Sequence, residues 1–480
     1  MRLLLFMISV IFIANITSCV KFPKREPQGE DPIPGQEPGV PVLLYQYPYA
    51  NEAKNITAEI TITTDGSQPL NEPLEVEIPH LKYNKSWLFL LTQDDCKHSA
   101  FSTTWAVING KPYSDKYYYD IRHLLAGDLP PDQKFLRKTL GSTDGTGNEV
   151  RFGFTTTLVP EKQSMSAKTV VRPGYTGDYY RFYSKSSLTW ENVREMLNYN
   201  VGISFHDLNT TEISNPDSLF AHMVLAQKII IDSLGGRGCK MLAEPNGNKA
   251  YVEAAKRYPG IKTMTAQAGT KVLYPFKVNE DLRKVLINRV FYDYFSQVES
   301  AVKYLMTIEK EERTAMSLGV HATNKEWVQV LDWLNDTYGK DGDDSVWATS
   351  LEEYFEYNYY RINSTLTSRI SGNKLIITLS MPSEEYFYFP SVTLNVKGID
   401  MSRIISVESG DNVKGMSYSN YKDGLMINVD CRKFLAEKAT FYVERYEKSN
   451  SESDKADALY FVNILKESAA KSQLLGRIIK

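Results

Sequence analysis

The chain has 480 residues, 42% of them hydrophobic and 24% charged, a globular composition with room for roughly two or three domains. Its formal net charge of −3 lacks the basic excess of a nucleic-acid binder or a polybasic membrane surface. Its 31 tyrosines suit strands and cores, and they also offer rings that pack on the C–H face of a sugar.

The N-terminus carries the most specific local signal. A basic start, Met1-Arg2, leads into an apolar stretch from Leu3 to Ala14 and then Ile16-Thr17-Ser18-Cys19. The stretch is short for a membrane span and suits the core of a cleavable signal peptide. Small residues before a cysteine resemble the lipobox of bacterial lipoproteins. By that resemblance Cys19 is lipidated, residues 1–19 are the signal segment, and the protein is held in the cell envelope on its periplasmic or outer-surface side. Cys96, Cys239 and Cys431 remain. They are too widely spaced for a disulfide framework or a thiolate metal site, so they are expected as free buried thiols.

Residues 20–40 are rich in Pro, Gly and charge and read as a flexible tether. Alternation such as Ile60-Thr61-Ile62-Thr63 predicts strands as N-terminal additions to a body spanning residues 41–361. Within that body, the continuous apolar run Trp87 to Leu91 predicts a strand buried on both faces. Further strands are predicted at Phe152–Val159, Val201–Phe205, Lys240–Ala243, Ile261–Thr265, Leu318–Val320 and Val346–Ala348. Helical patterns lie between them: Thr189 caps a helix with Trp190, Val193, Met196 and Leu197 on one face. Such alternation implies an α/β fold with parallel strands, closed as a barrel or open. Residues 362–480 read as a separate β-sandwich, from runs such as Leu375–Leu379, Val392–Val396, Met426–Val429 and Thr440–Val443, followed by a terminal helix.

Chemistry gathers where three predicted strands end. His206 and His321 each follow an apolar run directly, and Asp94-Asp95 stands just after the run ending at Leu91. In a barrel of parallel strands, that is the face where catalytic groups collect. The bland alternatives are an exposed turn for the Asp pair and hydrogen-bonded or capping residues for the histidines.

At these positions the sequence resembles the polysaccharide deacetylase family, whose NodB-like domain is a distorted (β/α) barrel. Leu91-Thr92-Gln93-Asp94-Asp95 is similar to its first motif and the segment ending in His206 to its second. Glu244-Pro245-Asn246-Gly247 is similar to its third and Leu318-Gly319-Val320-His321 to its last, over roughly residues 85–360. The resemblance implies a divalent metal, usually zinc, bound by Asp95 and His206, with Asp94 as general base and His321 as general acid. Thr210 stands where the family has a second histidine, so the ligand set is completed by His98, Asn209, Glu244 or His321; Glu244 is chemically the best of these. Glu244 also stands where the family has an arginine that holds the catalytic Asp. Asn209 and Asn246 are candidate substrate contacts. The resemblance implies metal-dependent deacetylation of an acetylated glycan. The alternative is a catalytically degenerate barrel kept as a glycan-binding or scaffold module.

Overall fold

The computed structural model describes residues 55–70, 74–114, 133–161, 163–166, 187–206 and 213–479. Cys19, the 20–40 tether, His123, Asn209 and Thr210 lie outside the described residues.

Trp87–Gln93 is the strand on which the molecule is organised, and all seven of its residues are buried. Its alternate side chains enter different cores. Trp87, Phe89 and Leu91 join one large apolar cluster, while Leu88 and Leu90 join a second. A run without polar residues is what a strand covered on both faces requires.

Around it runs a parallel sheet of nine strands. On one side lie Thr155–Leu158, Gly202–Phe205, Met241–Ala243, Thr263–Ala266 and Leu286–Asn288, in that order. On the other lie Met316–Val320 and Val290–Phe291. Val346–Thr349 pairs with the first half of Trp87–Gln93, and Thr155–Leu158 with its last two residues. The two strands at the ends of this path, Leu286–Asn288 and Val290–Phe291, are consecutive in the chain and joined by Arg289 alone. The sheet therefore curls until its edges nearly meet, and the α/β fold is barrel-like.

Helices connect the strands, and their starts are set by side-chain caps. Thr189 caps Trp190–Leu197 through a reciprocal arrangement with Asn192, and Trp190, Val193, Met196 and Leu197 are all buried, as their spacing predicts. Asn215, Asn248, Asn324 and Ser350 cap Pro216–Ser233, Lys249–Arg257, Lys325–Tyr338 and Leu351–Asn363 in the same role.

Among the described residues, a two-stranded hairpin, Gly141–Thr143 with Glu149–Arg151, and two four-stranded antiparallel sheets complete the β structure. One is ordered Thr365–Ser371, Lys374–Met381, Ile56–Thr64, Ile404–Ser409; the other Gly415–Tyr421, Gly424–Asp430, Ser391–Lys397, Val76–Glu77. The predicted strand at Ile60–Thr63 thus finds its partners more than three hundred residues later, Ile60 opposite Ile377 and Ser409. The apolar faces of both sheets share the second cluster with Leu88, Leu90, Trp347 and Tyr354.

One predicted strand is a helix. Thr440–Val443 falls inside Leu435–Ser449, where Leu435, Ala439, Tyr442 and Val443 are buried at helical spacing. Four β-branched and aromatic residues read alone favour a strand, and the longer 3.6-residue stripe overrides them. Glu452–Asn463 and Ala469–Ile478 follow as the helical end. Glu452–Asn463 is tied to the barrel by Asp457, which receives Lys111 Nζ at 2.6 Å, Arg151 Nη1 at 2.5 Å and the Tyr199 hydroxyl at 2.9 Å. The three described cysteines are buried, as expected. Among the described residues no helix is long and apolar enough to cross a membrane.

Candidate active site

Asp94 leaves the end of Trp87–Gln93, His206 leaves Gly202–Phe205, Glu244 leaves Met241–Ala243 and His321 leaves Met316–Val320. These strands are parallel neighbours of one sheet, so all four residues stand at the same, carboxyl-terminal rim.

Asp94 is buried, and its N–H donates to the Val320 carbonyl at 2.7 Å, which fixes the backbone between two strands. Its Oδ1 receives Arg289 Nη1 at 2.6 Å, while Oδ2 lies 4.0 Å from His206 Nε2. One carboxylate oxygen is thus held and the other faces the histidine.

The next residue turns sharply. Asp95 (φ 62) and Cys96 (φ 53) are consecutive left-handed residues, a conformation that costs a non-glycine residue energy and is kept only where the surroundings impose it. Here the Cys96 N–H donates to Thr157 Oγ1 and the Cys96 carbonyl accepts from the Leu188 N–H, so neighbouring segments clamp the turn. The result sends Asp95 back over the rim, half-exposed, with Oδ1 3.4 Å from His206 Nε2 and Oδ2 3.4 Å from Lys97 Nζ. The contact with His206 holds the Asp95 carboxyl well below the usual range, against the effect of burial, with Lys97 and His321 adding to it.

His206 is buried, and its Nδ1 lies 2.8 Å from the Ala243 carbonyl oxygen. A carbonyl can only accept, so Nδ1 carries a proton and Nε2 is directed at the two carboxylates. Burial works against the charged ring, but the Asp94 charge and the Asp95 contact outweigh it and raise its pKa. Beneath it, buried Glu352 receives Arg237 at 2.6 Å, Lys240 at 2.8 Å and the Ile203 N–H at 3.1 Å, which pins the strand that delivers His206.

A hydrogen-bonded chain couples the Asp turn to the His321 loop. Gln93 Nε2 donates to Ser99 Oγ, Thr104 Oγ1 donates to Gln93 Oε1, and the Thr323 N–H donates to Ser99 Oγ, at 2.8, 2.8 and 3.1 Å. Every partner here is buried, and a buried network so fully paired is rigid. His321 itself is exposed, its ring 5.0 Å from that of Phe291. The aromatic ring lies over Gly319, where a Cβ would meet Phe291 at 2.4 Å.

Arg289 was not anticipated from the sequence. It occupies the seam between the two end strands, is buried, and besides Asp94 donates to the Glu244 carbonyl at 2.9 Å. The cation facing the Asp pair thus comes from the strand end after Asn288, and Glu244 at the third motif does not leave Asp94 without a counter-charge. The available signal was a single charged residue, Arg289, within the segment Leu286-Ile287-Asn288-Arg289-Val290-Phe291.

The proposed ligand set Asp95, His206 and Glu244 does not assemble. Among the described residues no three His, Cys, Asp or Glu side chains come together closely enough to hold an ion. Glu244 is buried with Oε1 2.6 Å from Lys249 Nζ, and that ammonium takes the charge a metal would need. Asp95 and His206 do fit as a pair. Their donor atoms are 3.4 Å apart, close to the spacing of about 3.3 Å between neighbouring donors on a tetrahedral zinc ion. The Nδ1 contact to a carbonyl is also the support that a ligating imidazole usually has. His98 is buried beside Phe101, and Asn246 (φ 51) is exposed in the turn before Lys249–Arg257. His222 pairs with Glu161 and His80 with the Pro275 carbonyl, both structural roles.

The fold and this rim define an α/β, barrel-like protein with paired carboxylate, imidazole and guanidinium groups at the carboxyl ends of its strands. The model of the family described as "Putative polysaccharide deacetylase" matches residues 58–479, and the chain belongs to that family. No curated protein matches it.

Proposed function

We propose that the protein is a metal-dependent deacetylase acting on an acetylated glycan of the cell envelope. Family membership supports the deacetylase class and a glycan substrate. The single observation that carries the chemistry is the Asp94–Arg289 ion pair beside the Asp95–His206 pair on one rim. Asp95 and His206 would hold the ion, whose chemistry is Lewis acidity towards the acetyl carbonyl and towards water. Asp94 Oδ2, left open because Oδ1 is taken by Arg289, is placed to accept the proton of the attacking water. Arg289 keeps that carboxylate in position throughout. His321, exposed and seated on Phe291, is placed to donate a proton to the departing nitrogen or oxygen.

Metal binding tests the ligand assignment. Calorimetric titration of zinc into the purified chain is expected to give one site, weaker than a three-ligand site and absent in Asp95→Ala. An Asp95→Ala protein that binds zinc as well as the wild type removes Asp95 from the ligand set. The competing reading, a degenerate barrel that binds glycan without turnover, draws on the lack of a third described ligand. Zinc binding without acetate release from any glycan would favour it.

The same proposal includes the anchor. Cys19 carries lipid, residues 20–40 tether the body, and the two antiparallel sheets form a β-sandwich beside the barrel. Cys19→Ala is then expected to move the protein from the detergent phase to the soluble fraction of the envelope. Unchanged membrane association of that variant refutes the lipid anchor.

A further inference from the structure

Away from the rim, a second concavity of about 560 Å³ opens between the edge strands of the two antiparallel sheets. Ile404–Ser409 forms one wall and Gly415–Tyr421 the other; each is the last strand of its sheet. The remaining walls are the turn around Thr146 and Asn148 and the segment at Lys466. We propose that this cleft is a second saccharide-binding site, separate from the acid–base rim.

Its chemistry is that of a sugar site. Val407, Met416 and Tyr418 supply an apolar side, each packed partly into the core cluster behind it. Thr146, Asn148, Ser409 and Ser417 add hydroxyl and amide groups to the lining. A pyranose presents the same division, apolar C–H faces and a belt of hydroxyls. Charge does not suit a phosphate or a nucleotide: Lys471 is paired with Glu467 at 2.7 Å, and Lys466 donates to the Gly410 carbonyl at 3.0 Å.

The polar side is also built in advance. Buried Asp144 accepts from the Thr146 N–H at 2.9 Å and Thr146 Oγ1 at 2.7 Å, from Asn148 Nδ2 at 3.0 Å, and from Ser417 Oγ at 2.7 Å. One carboxylate thereby fixes three of the lining residues before any ligand arrives, which lowers the ordering cost of binding.

Position separates the cleft from the catalytic groups. The hairpin carrying Thr146 and Asn148 is held at Thr143 by Asp344, just before Val346–Thr349, and Asp344 also pairs with Lys85, just before Trp87–Gln93. It therefore sits at the amino-terminal ends of the parallel strands, opposite the rim of Asp94 and His206. A short ligand cannot occupy both places; a long polymer held in the cleft would stay near the enzyme between turnovers.

The test uses the full chain in detergent with three probes: hexamers of N-acetylglucosamine, of glucosamine and of glucose. Binding is measured by calorimetry in an Asp95→Ala background, which removes a proposed metal ligand and with it turnover at the rim. At least one hexamer is expected to bind, and adding Tyr418→Ala or, separately, Asn148→Ala is expected to weaken it about tenfold. Tyr418→Ala in the wild-type background is expected to leave acetate release from a disaccharide within about twofold. Failure of all three hexamers to bind, or unchanged affinity in both cleft variants, overturns the inference. Absence of acetate release would count against the deacetylase proposal alone, since binding at the cleft is read without turnover.

Discussion

Replacing Asp94 with asparagine is expected to lower acetate release by about 10²–10⁴-fold, the range a positioned general base contributes. Asparagine preserves shape. Its side-chain oxygen can still accept Arg289 Nη1, and Arg289 Nη2 keeps the Glu244 carbonyl. What disappears is the proton acceptor at Oδ2, the oxygen facing His206. Zinc affinity is expected to stay near the wild-type value, because the proposed ligands, Asp95 and His206, are unchanged. Initial rates and calorimetry on the same preparation separate the two effects. An Asp94→Asn variant with full activity would remove Asp94 as the base; one that loses zinc as well would make it a ligand.

The second large effect is on stability. Asp457 is fully buried between Lys111 and Arg151, with Arg151 also over the Tyr460 ring at 4.4 Å. Truncation in Asp457→Ala leaves buried Lys111 and Arg151 with only their longer carboxylate contacts, to Asp454 at 4.0 Å and to Glu149 at 3.3 Å, a loss of about 3–5 kcal/mol. Against a total stability of about 5–15 kcal/mol, this should release the terminal helices or unfold the chain. A thermal melt of the variant within about 2 °C of the wild type would refute that role. The same pair sets an acid limit. Burial alone would raise the Asp457 pKa, but Lys111 and Arg151 bring it down to about 2. Because this folded value lies below the unfolded one of about 3.9, the contribution is complete above the unfolded value. It is lost as pH falls from about 4 towards 2, so urea midpoints should drop across that window and drop less in Asp457→Asn.

The rim was legible in the sequence because a strand buried on both faces writes itself as an unbroken apolar run. Leu91, Phe205 and Val320 end such runs, and Asp94, His206 and His321 follow within three residues. Arg289 was hidden by the opposite circumstance. Its flanking strands have three and two residues, too short for any period to register. The error at Thr440–Val443 has the same origin, a four-residue window too short to reveal the stripe from Leu435 to Val443. Pairing of Ile56–Thr64 with Lys374–Met381 was out of reach for another reason: alternation locates a strand and its buried face but carries no information on a distant partner. Glu244 suits a metal by its carboxylate chemistry, but the fold sets Lys249 against it, a pairing that no sequence pattern marks.

Acetate release from an N-acetylglucosamine hexamer, with zinc, cobalt or nickel supplied, tests the central claim most directly. The wild-type chain should release acetate with at least one of these metals, and Asp95→Ala, folded to the same melting temperature, should release none. A wild type that binds zinc and releases no acetate with any of them, or an Asp95→Ala variant as active as the wild type, would contradict it.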